Sequence, residues 1–436
     1  MRWVLHVDMN SYFASVEQQC NPLLRGRAVG VGGKPGTRSV IAAASREAKA
    51  RGVKTGMSAS EAVQRCPELQ IVEPDYPKYR AYSERLFGLL DTLSPYVEIF
   101  SIDEAFVELD RRLTPADITS LVRTLKARLR HALGPVLTAS VGIAHNKRLA
   151  KLASESMKPD GIVALLDDHE HELVQTFKTL GIRARTRGAH YVATDIEELA
   201  GIGPRLGRRL RGGGVHTLQD LAECTLDELR TLVFPYEREL WLVGQGIDPS
   251  PVVPHWAARA EQSIGHQYTL PADTPVRALE PTLMWLAERV ASRMRRRGFV
   301  AQRLTLYFRR TGAPSWQASQ RTTQRLESDR DVFTAAMQLV RDAVRDDLDA
   351  LTTETRVRMP ALTVSELTPR ASTPQSLFGP ERSTLLTRAV DRIRERFGSR
   401  AVTSGLTRAI RHHVVPDGRQ RRFSPEPPNP APFPMT

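Results

Sequence analysis

The sequence predicts an α+β chain of several domains, and three observations carry that expectation. A length of 436 residues exceeds what a single hydrophobic core usually serves. Apolar residues at 41% and charged residues at 25% strike a globular balance, which excludes a chiefly disordered, collagen-like or coiled-coil chain. Short apolar runs alternate with helical periodicity through the first third of the chain, and the same mixture returns after a helical stretch.

Val4 to Met9 reads as a buried strand, and Asn10-Ser11 as the N-cap of a helix from Tyr12 through Gln19. Ser39 to Ala44 reads as a strand that feeds a helix from Ser45 to Ala50, ended by Gly52. Helical spacing covers Tyr76 to Leu93 and stops at Ser94-Pro95. Val97 to Leu109 is strand-like, Pro115 to Leu133 helical, Val136 to Ile143 a strand and Asn146 to Met157 a helix. Pro159-Asp160-Gly161 then forces a turn.

From Asp168 to Phe234, short helices with glycine-rich joints predict a small all-helical domain. Pro235, Pro249, Pro251 and Pro254 mark residues 235–256 as a linker. Strands near Ile264–Leu270, Arg303–Arg309 and Ala361–Leu367, with helices over Val276–Arg297 and Arg330–Leu348, suit a β-α-β-β-α-β domain. A further helix is expected over Ser383 to Phe397.

Lys and Arg number 62 against 49 Asp and Glu, a formal net charge of +13. Such an excess points to a polyanionic partner, nucleic acid before membrane, although a generally Arg-rich protein would show it too. Cys20, Cys66 and Cys224 lie far apart, with neither ligand spacing nor a disulfide framework. The apolar start is too short for a secretory signal, and no apolar run reaches the ~18 residues of a membrane span. The expectation is a reduced, cytoplasmic monomer.

The chemistry lies in three carboxylates. Asp8 stands where the first strand gives way to the first helix. Asp103 and Glu104 are adjacent in Ser101-Ile102-Asp103-Glu104-Ala105-Phe106, and neighbours in a strand face opposite ways. Both can serve one site only at a bend or hairpin turn. The apolar flanks Ile99, Phe100, Ile102, Phe106 and Val107 make an unpaired carboxylate costly to bury there. Carboxylates without His or Cys partners form a hard oxygen site, suited to Mg²⁺ or Mn²⁺ bridging to substrate phosphates. Two such ions can activate a hydroxyl and stabilise an in-line displacement at phosphorus. An exposed hairpin acid pair and an N-cap aspartate would account for the same residues.

His6 through Glu17 and Ser101 through Ala105 resemble the two catalytic motifs of the Y-family translesion DNA polymerases. Ala139 through Ala144, Asn146-Lys147, Leu149-Ala150-Lys151 and Lys158-Pro159-Asp160-Gly161 resemble their third block. The similarity continues in order to about residue 370, past Ser263-Ile264-Gly265-His266. It implies a right-hand architecture: palm 1–10 and 74–167, fingers 11–73, thumb 168–234, little finger 257–370 and a tail, 371–436. It also implies a template-directed, low-fidelity polymerase that adds dNTPs to a primer 3′-hydroxyl and copies damaged templates.

On that resemblance, Asp8, Asp103 and Glu104, with the Met9 carbonyl, would hold two Mg²⁺ ions, or Mn²⁺ in their place. Phe13 matches the steric gate, a flat ring that leaves no room for a ribose 2′-hydroxyl, and Lys158 matches a triphosphate contact. Arg46 stands where the family commonly has Tyr, and Lys49 where it has Arg. Positive charge is kept, but a fork and a point charge have exchanged places, so triphosphate binding is expected with altered geometry. Asn10 stands where many relatives have Asp and reads as a capping swap.

Ile196 to Gly207 resembles a helix-hairpin-helix, in which Gly201 and Gly203 would let backbone amides approach a DNA phosphate while Arg205 and Arg208 add charge. In the last domain Arg295, Arg296 and Arg297 are expected on DNA, although arginines suit a helix C-terminus in any case. Gln375, Leu377 and Phe378 resemble the peptide that docks on the replicative sliding clamp, with Gln375 one place closer than usual. An ordered tail packing Leu377 and Phe378 is the alternative. A non-catalytic accessory protein on the same fold and a palm-type nucleotidyl cyclase are the rival classes. The intact carboxylates argue against the first, and the helix-hairpin-helix with the basic last domain against the second.

Overall fold

The computed structural model describes residues 2–257, 261–346, 351–372, 382–398 and 401–407. They fall into two units, one holding the described residues up to 257 and the other those from 261 onward. In the first unit β1 (Trp3–Met9) is buried at every position. α1 (Tyr12–Cys20) follows a tight turn in which Ser11 is left-handed, φ 49°, and makes no side-chain cap. The expected Asn10–Ser11 cap is therefore not formed. Asn10 turns its side chain to Thr138 and Ser140 instead.

β2 (Val29–Gly32), β3 (Ile41–Ala44), α2 (Arg46–Ala50), α3 (Ala59–Arg65) and β4 (Gln70–Val72) build a small layer with its own sheet, ordered β3-β2-β4. Its core is Ile41, Ala44, Ala48, Val53, Ala59 and Ala62. Ser45 caps α2 by accepting from the Ala48 amide, and Gly52 ends the turn at φ 83°.

α4 (Tyr76–Asp91), β5 (Val97–Ile99), β6 (Glu104–Leu109), α5 (Pro115–Leu133), β7 (Ala139–Ala144), α6 (Lys147–Glu155), β8 (Ile162–Leu166), α7 (His171–Thr179) and β9 (Arg183–Thr186) complete the larger layer. Its sheet runs β5-β6-β1-β7-β8-β9, antiparallel about β1 and parallel from β7 onward. Alternation sets the two faces. Trp3, Leu5, Val7 and Met9 join one core with Leu86 and Leu90 of α4, Ile118 and Val122 of α5 and Phe177 of α7. Val4 packs with Leu149 and Leu152 of α6, so His6 and Asp8 belong to the α6 face. The segment expected from Asp168 to be all-helical is not: β9 is the edge strand of this sheet, and α7 packs on its core through Val174 and Phe177.

α8 (Arg187–Tyr191), α9 (Pro204–Gly212), α10 (Leu218–Glu223), α11 (Leu226–Val233) and α12 (Glu237–Gly244) surround Ile196, Leu210, Leu218, Leu229, Leu240 and Val243. Capping boxes from Thr217 and Asp220, and from Thr225 and Glu228, start α10 and α11. Residues 235–256, expected as a linker, are bound to the unit. α12 joins the helical cluster, and beyond it Val253 N donates to Glu98 at 2.9 Å and His255 N to Val97 O at 2.8 Å.

The second unit holds β10 (Ser263–Gln267), β11 (Thr274–Pro275), α13 (Glu280–Arg296), β12 (Phe299–Arg310), β13 (Trp316–Leu326), α14 (Asp329–Arg345), β14 (Arg356–Ser365), β15 (Thr368–Pro369) and α15 (Arg382–Phe397). The main sheet is β10-β14-β12-β13, all antiparallel. Leu283, Leu286, Val290 and Met294 of α13 and Val332, Ala336 and Val340 of α14 share a core with Leu304, Leu306 and Phe308 of β12. This is the β-α-β-β-α-β order expected from the sequence. Among the described residues no helix is long and apolar enough to cross a membrane.

Candidate active site

Asp8 and Glu104 are direct partners across the β1–β6 ladder, so their carboxylates share the α6 face. The hairpin between β5 and β6 answers the problem of the adjacent acids. Phe100 N and Ser101 N both donate to Glu104 O, at 3.1 and 3.2 Å, and the backbone bends through residues 101–103. Asp103 therefore leaves the ladder. Its carbonyl accepts from Met9 N at 3.0 Å, which ties the hairpin tip to the end of β1.

The two neighbours titrate in opposite directions. Burial pushes the Asp103 carboxyl up to about 6, and the charges of Asp8 and Glu104 add to it against the Ser101 hydroxyl and Lys158. Ser101 Oγ donates to Asp103 Oδ1 at 2.6 Å. Burial also acts to raise Glu104, but the hydrogen bond with His6 and the ammonium of Lys151 outweigh it and bring that carboxyl to about 2. His6 is fully buried, which holds it below its ordinary range and keeps it neutral. Its Nδ1 lies 2.7 Å from Ser154 Oγ and its Nε2 3.1 Å from Glu104 Oε2, the oxygen that Lys151 Nζ meets at 2.5 Å.

One donor atom each from His6, Asp8 and Glu104 lies within 4.8 Å of the others. Both nitrogens of His6 are engaged, so the donors left for a cation are oxygens. Asp103 stands outside this tight group yet couples to it through charge. The repulsion that Asp8 and Glu104 exert on Asp103 is relieved by a hard cation, and this donor set fits a divalent metal. Nothing local in the sequence marks Lys151 as a partner of Glu104, and His6 is marked only by position. The available signal for His6 was its place two residues before Asp8 on the same strand face.

Of the three cations expected on the triphosphate, Lys158 and Lys49 interact with these acids, and Arg46 reaches Thr138. Lys158 Nζ donates to Asp8 Oδ2 at 2.9 Å. Arg46 donates to Thr138 Oγ1. Burial lowers Lys49, as do Lys158 and Arg46, while Asp8 and Asp103 act against them. Phe13 is 5% exposed, its ring stacked on Tyr79 with centroids 4.2 Å apart and planes 12° from parallel. Tyr79 is itself anchored, its hydroxyl donating to Glu17 Oε1 at 2.7 Å.

Away from the carboxylates, a Cβ at Gly201 (φ 104°) or Gly203 would meet nothing within 4 Å, so the approach to the N-terminus of α9 is open. Arg205, Arg208 and Arg296 are exposed, and Arg297 pairs with Glu261 at 2.9 Å. Arg295 corrects the expectation of a DNA contact. Its side chain is 5% exposed, paired with Asp329 at 2.9 Å and, through Nε, with Asp391 of α15 at 2.7 Å. An enclosed guanidinium with two carboxylate partners is part of the packing. Gln375, Leu377 and Phe378 lie outside the described residues.

The impB/mucB/samB family profile matches residues 7–155, and the profile of that family's C-terminal domain matches residues 261–377. A DNA polymerase IV of Pelotomaculum thermopropionicum is 35% identical over 409 residues, 93% of this chain and 95% of the relative. One from Moorella thermoacetica is 35% identical over 407 residues, 92% and 94% of the two chains. Among solved structures, a Y-family DNA polymerase chimera superposes with a TM-score of 0.68 at 24% identity, over 84% of this chain and 99% of its own. The chain therefore belongs to the impB/mucB/samB family, the Y-family DNA polymerases. Its branch is that of the DNA polymerase IV relatives, DNA-directed DNA polymerases of translesion synthesis whose chemistry uses divalent metal.

Proposed function

We propose that Asp8, Asp103 and Glu104, with the Met9 carbonyl, hold two Mg²⁺ ions, or Mn²⁺, and that this centre joins an incoming dNTP to the 3′-hydroxyl of primer–template DNA. The direct opposition of Asp8 and Glu104, with Asp103 turned out of the ladder beside them, carries the reading. Bound there, the ions supply Lewis acidity at the transferred phosphorus and neutralise the departing pyrophosphate. His6 and Lys151 keep Glu104 ionised and hold one of its oxygens in place. Lys158, Arg46 and Lys49 offset the triphosphate's charge, with Lys158 released from Asp8 as the nucleotide arrives. Phe13 lies beneath the sugar as the steric gate.

Gly201, Gly203, Arg205 and Arg208 hold the DNA backbone from the thumb, and Arg296 and Arg297 from the little finger. Gln375, Leu377 and Phe378 bring a cytoplasmic, monomeric enzyme to the sliding clamp. Primer extension with Mg²⁺ tests the centre. Asp103→Ala and Glu104→Ala should each lose several orders of magnitude in rate while primer–template affinity stays near wild type, since DNA grip comes from the basic regions. A loss below about tenfold, little more than one kcal/mol of barrier, would overturn the assignment.

A further inference from the structure

Asn10 joins the two sides of the nucleotide site. It is 5% exposed and follows directly on β1. Its Oδ1 accepts from Thr138 Oγ1 at 2.9 Å and from Asp160 N at 2.7 Å, and its Nδ2 donates to Ser140 Oγ at 2.9 Å. Thr138 in turn receives the guanidinium of Arg46 from α2. Asp160 lies two residues beyond Lys158, and its own carboxylate is held from α5 by Lys126 at 2.8 Å and Arg130 at 2.6 Å. One carboxamide thus reaches Arg46 through Thr138 and the Lys158 loop through a backbone amide.

We propose that Asn10 is a positioning residue that sets Arg46 and Lys158 in register for the triphosphate. The inference rests on the assignment of those two cations as triphosphate contacts. A carboxamide suits the place because its oxygen takes two donors while its amino group finds an acceptor in Ser140. Aspartate would keep both acceptor bonds but set a negative charge among the cations.

Single-nucleotide insertion on pre-bound primer–template tests the link. Asn10→Leu, close in volume but unable to hydrogen-bond, should raise KM for the dNTP about tenfold with kcat changed less than about threefold, since the two of its three bonds that lead to Arg46 and the Lys158 loop are lost. Primer–template affinity should not move. Asn10→Asp should restore KM to within about threefold of wild type, since the acceptor oxygen returns. Thr138→Val should raise KM alone but add nothing to Arg46→Ala, because the two act through one contact.

An unchanged KM in Asn10→Leu, or a fall in kcat at constant KM, would overturn the proposal. Arg46→Ala and Lys158→Ala separate the levels. If they raise KM and Asn10→Leu does not, the link alone fails; if they leave KM unmoved, the triphosphate assignment fails and the link with it. Should Asn10→Leu lose its cooperative melting transition, Thr138→Val against Arg46→Ala decides.

Discussion

Glu104 faces Asp8 across the β1–β6 ladder, whereas Asp103, one residue earlier, has left that ladder and bonds through its carbonyl to Met9. The two acids of one dipeptide therefore live in different surroundings. Glu104 has His6 and Lys151 on one oxygen, while Asp103 has a serine hydroxyl and the field of two other carboxylates. An isolated strand could not bring both side chains to one place.

The first prediction follows from that difference. Burial raises the Asp103 pKa from 3.8 to about 6, so the folded protein binds the extra proton between those values. Ionising Asp103 then weakens the fold, an effect absent below pH 3.8 and complete above about 6. In EDTA, Asp103→Asn should melt above the wild type at pH 7, with the gap closing as the pH falls through that window. Added Mn²⁺ should raise the wild-type Tm more than the variant's, because the cation binds the carboxylates of the folded state. Equal melting at pH 7 without metal would refute the account.

The central strand, the hairpin acids, and three strands and both long helices of the last domain were legible because apolar periodicity and turn residues mark them directly. β9 was not, since only Ala184 of its four residues is buried and its two arginines read as a charged joint. β13 hid for the same reason, with Trp316 and Leu326 buried at its ends and, Ala318 apart, polar residues between. β8 is a continuous buried run on a parallel strand, where no alternation exists to be read. α12 was concealed by its flanking prolines. Asn10 reads locally as a helix cap but forms none, because its partners lie more than a hundred residues away and no local rule reaches them.

Sugar selection is the second prediction. Phe13 is held flat by its stack on Tyr79, and a fixed ring excludes a 2′-hydroxyl better than a mobile one. Phe13→Ala should admit ribonucleotides while deoxynucleotide insertion survives, measured as the ratio of kcat/KM for dNTP and NTP. A ratio unchanged from wild type would return Phe13 to a packing role.

Clamp docking is the third. Leu377→Ala with Phe378→Ala should leave distributive extension on naked DNA near wild type, because the carboxylates and basic helices lie elsewhere. Stimulation by a loaded clamp should vanish, since two apolar anchors carry most of a short-peptide interface and tethering raises local concentration without new DNA contacts. Stimulation that survives the double change would place docking on another surface.

The fourth prediction separates two neighbouring arginines. Arg295 is enclosed between Asp329 and Asp391, while Arg296, the next residue along α13, faces solvent. Removing one partner of a buried ion pair leaves charges uncompensated, so Arg295→Ala should destabilise the chain by about 3 kcal/mol. Its effect on DNA should be confined to that loss of fold, with the salt dependence of binding unchanged at temperatures where the variant is native. Arg296→Ala should do the reverse. Its stability should stay within about 0.5 kcal/mol of wild type, as for most exposed substitutions. The slope of log K against log salt should fall by about one, the signature of a single lost phosphate contact. Denaturant melts and salt titrations of the two variants read these outcomes separately. A reduced salt slope in Arg295→Ala at full nativeness would mean that the guanidinium leaves its carboxylates to meet DNA, and the packing role assigned to it would be wrong.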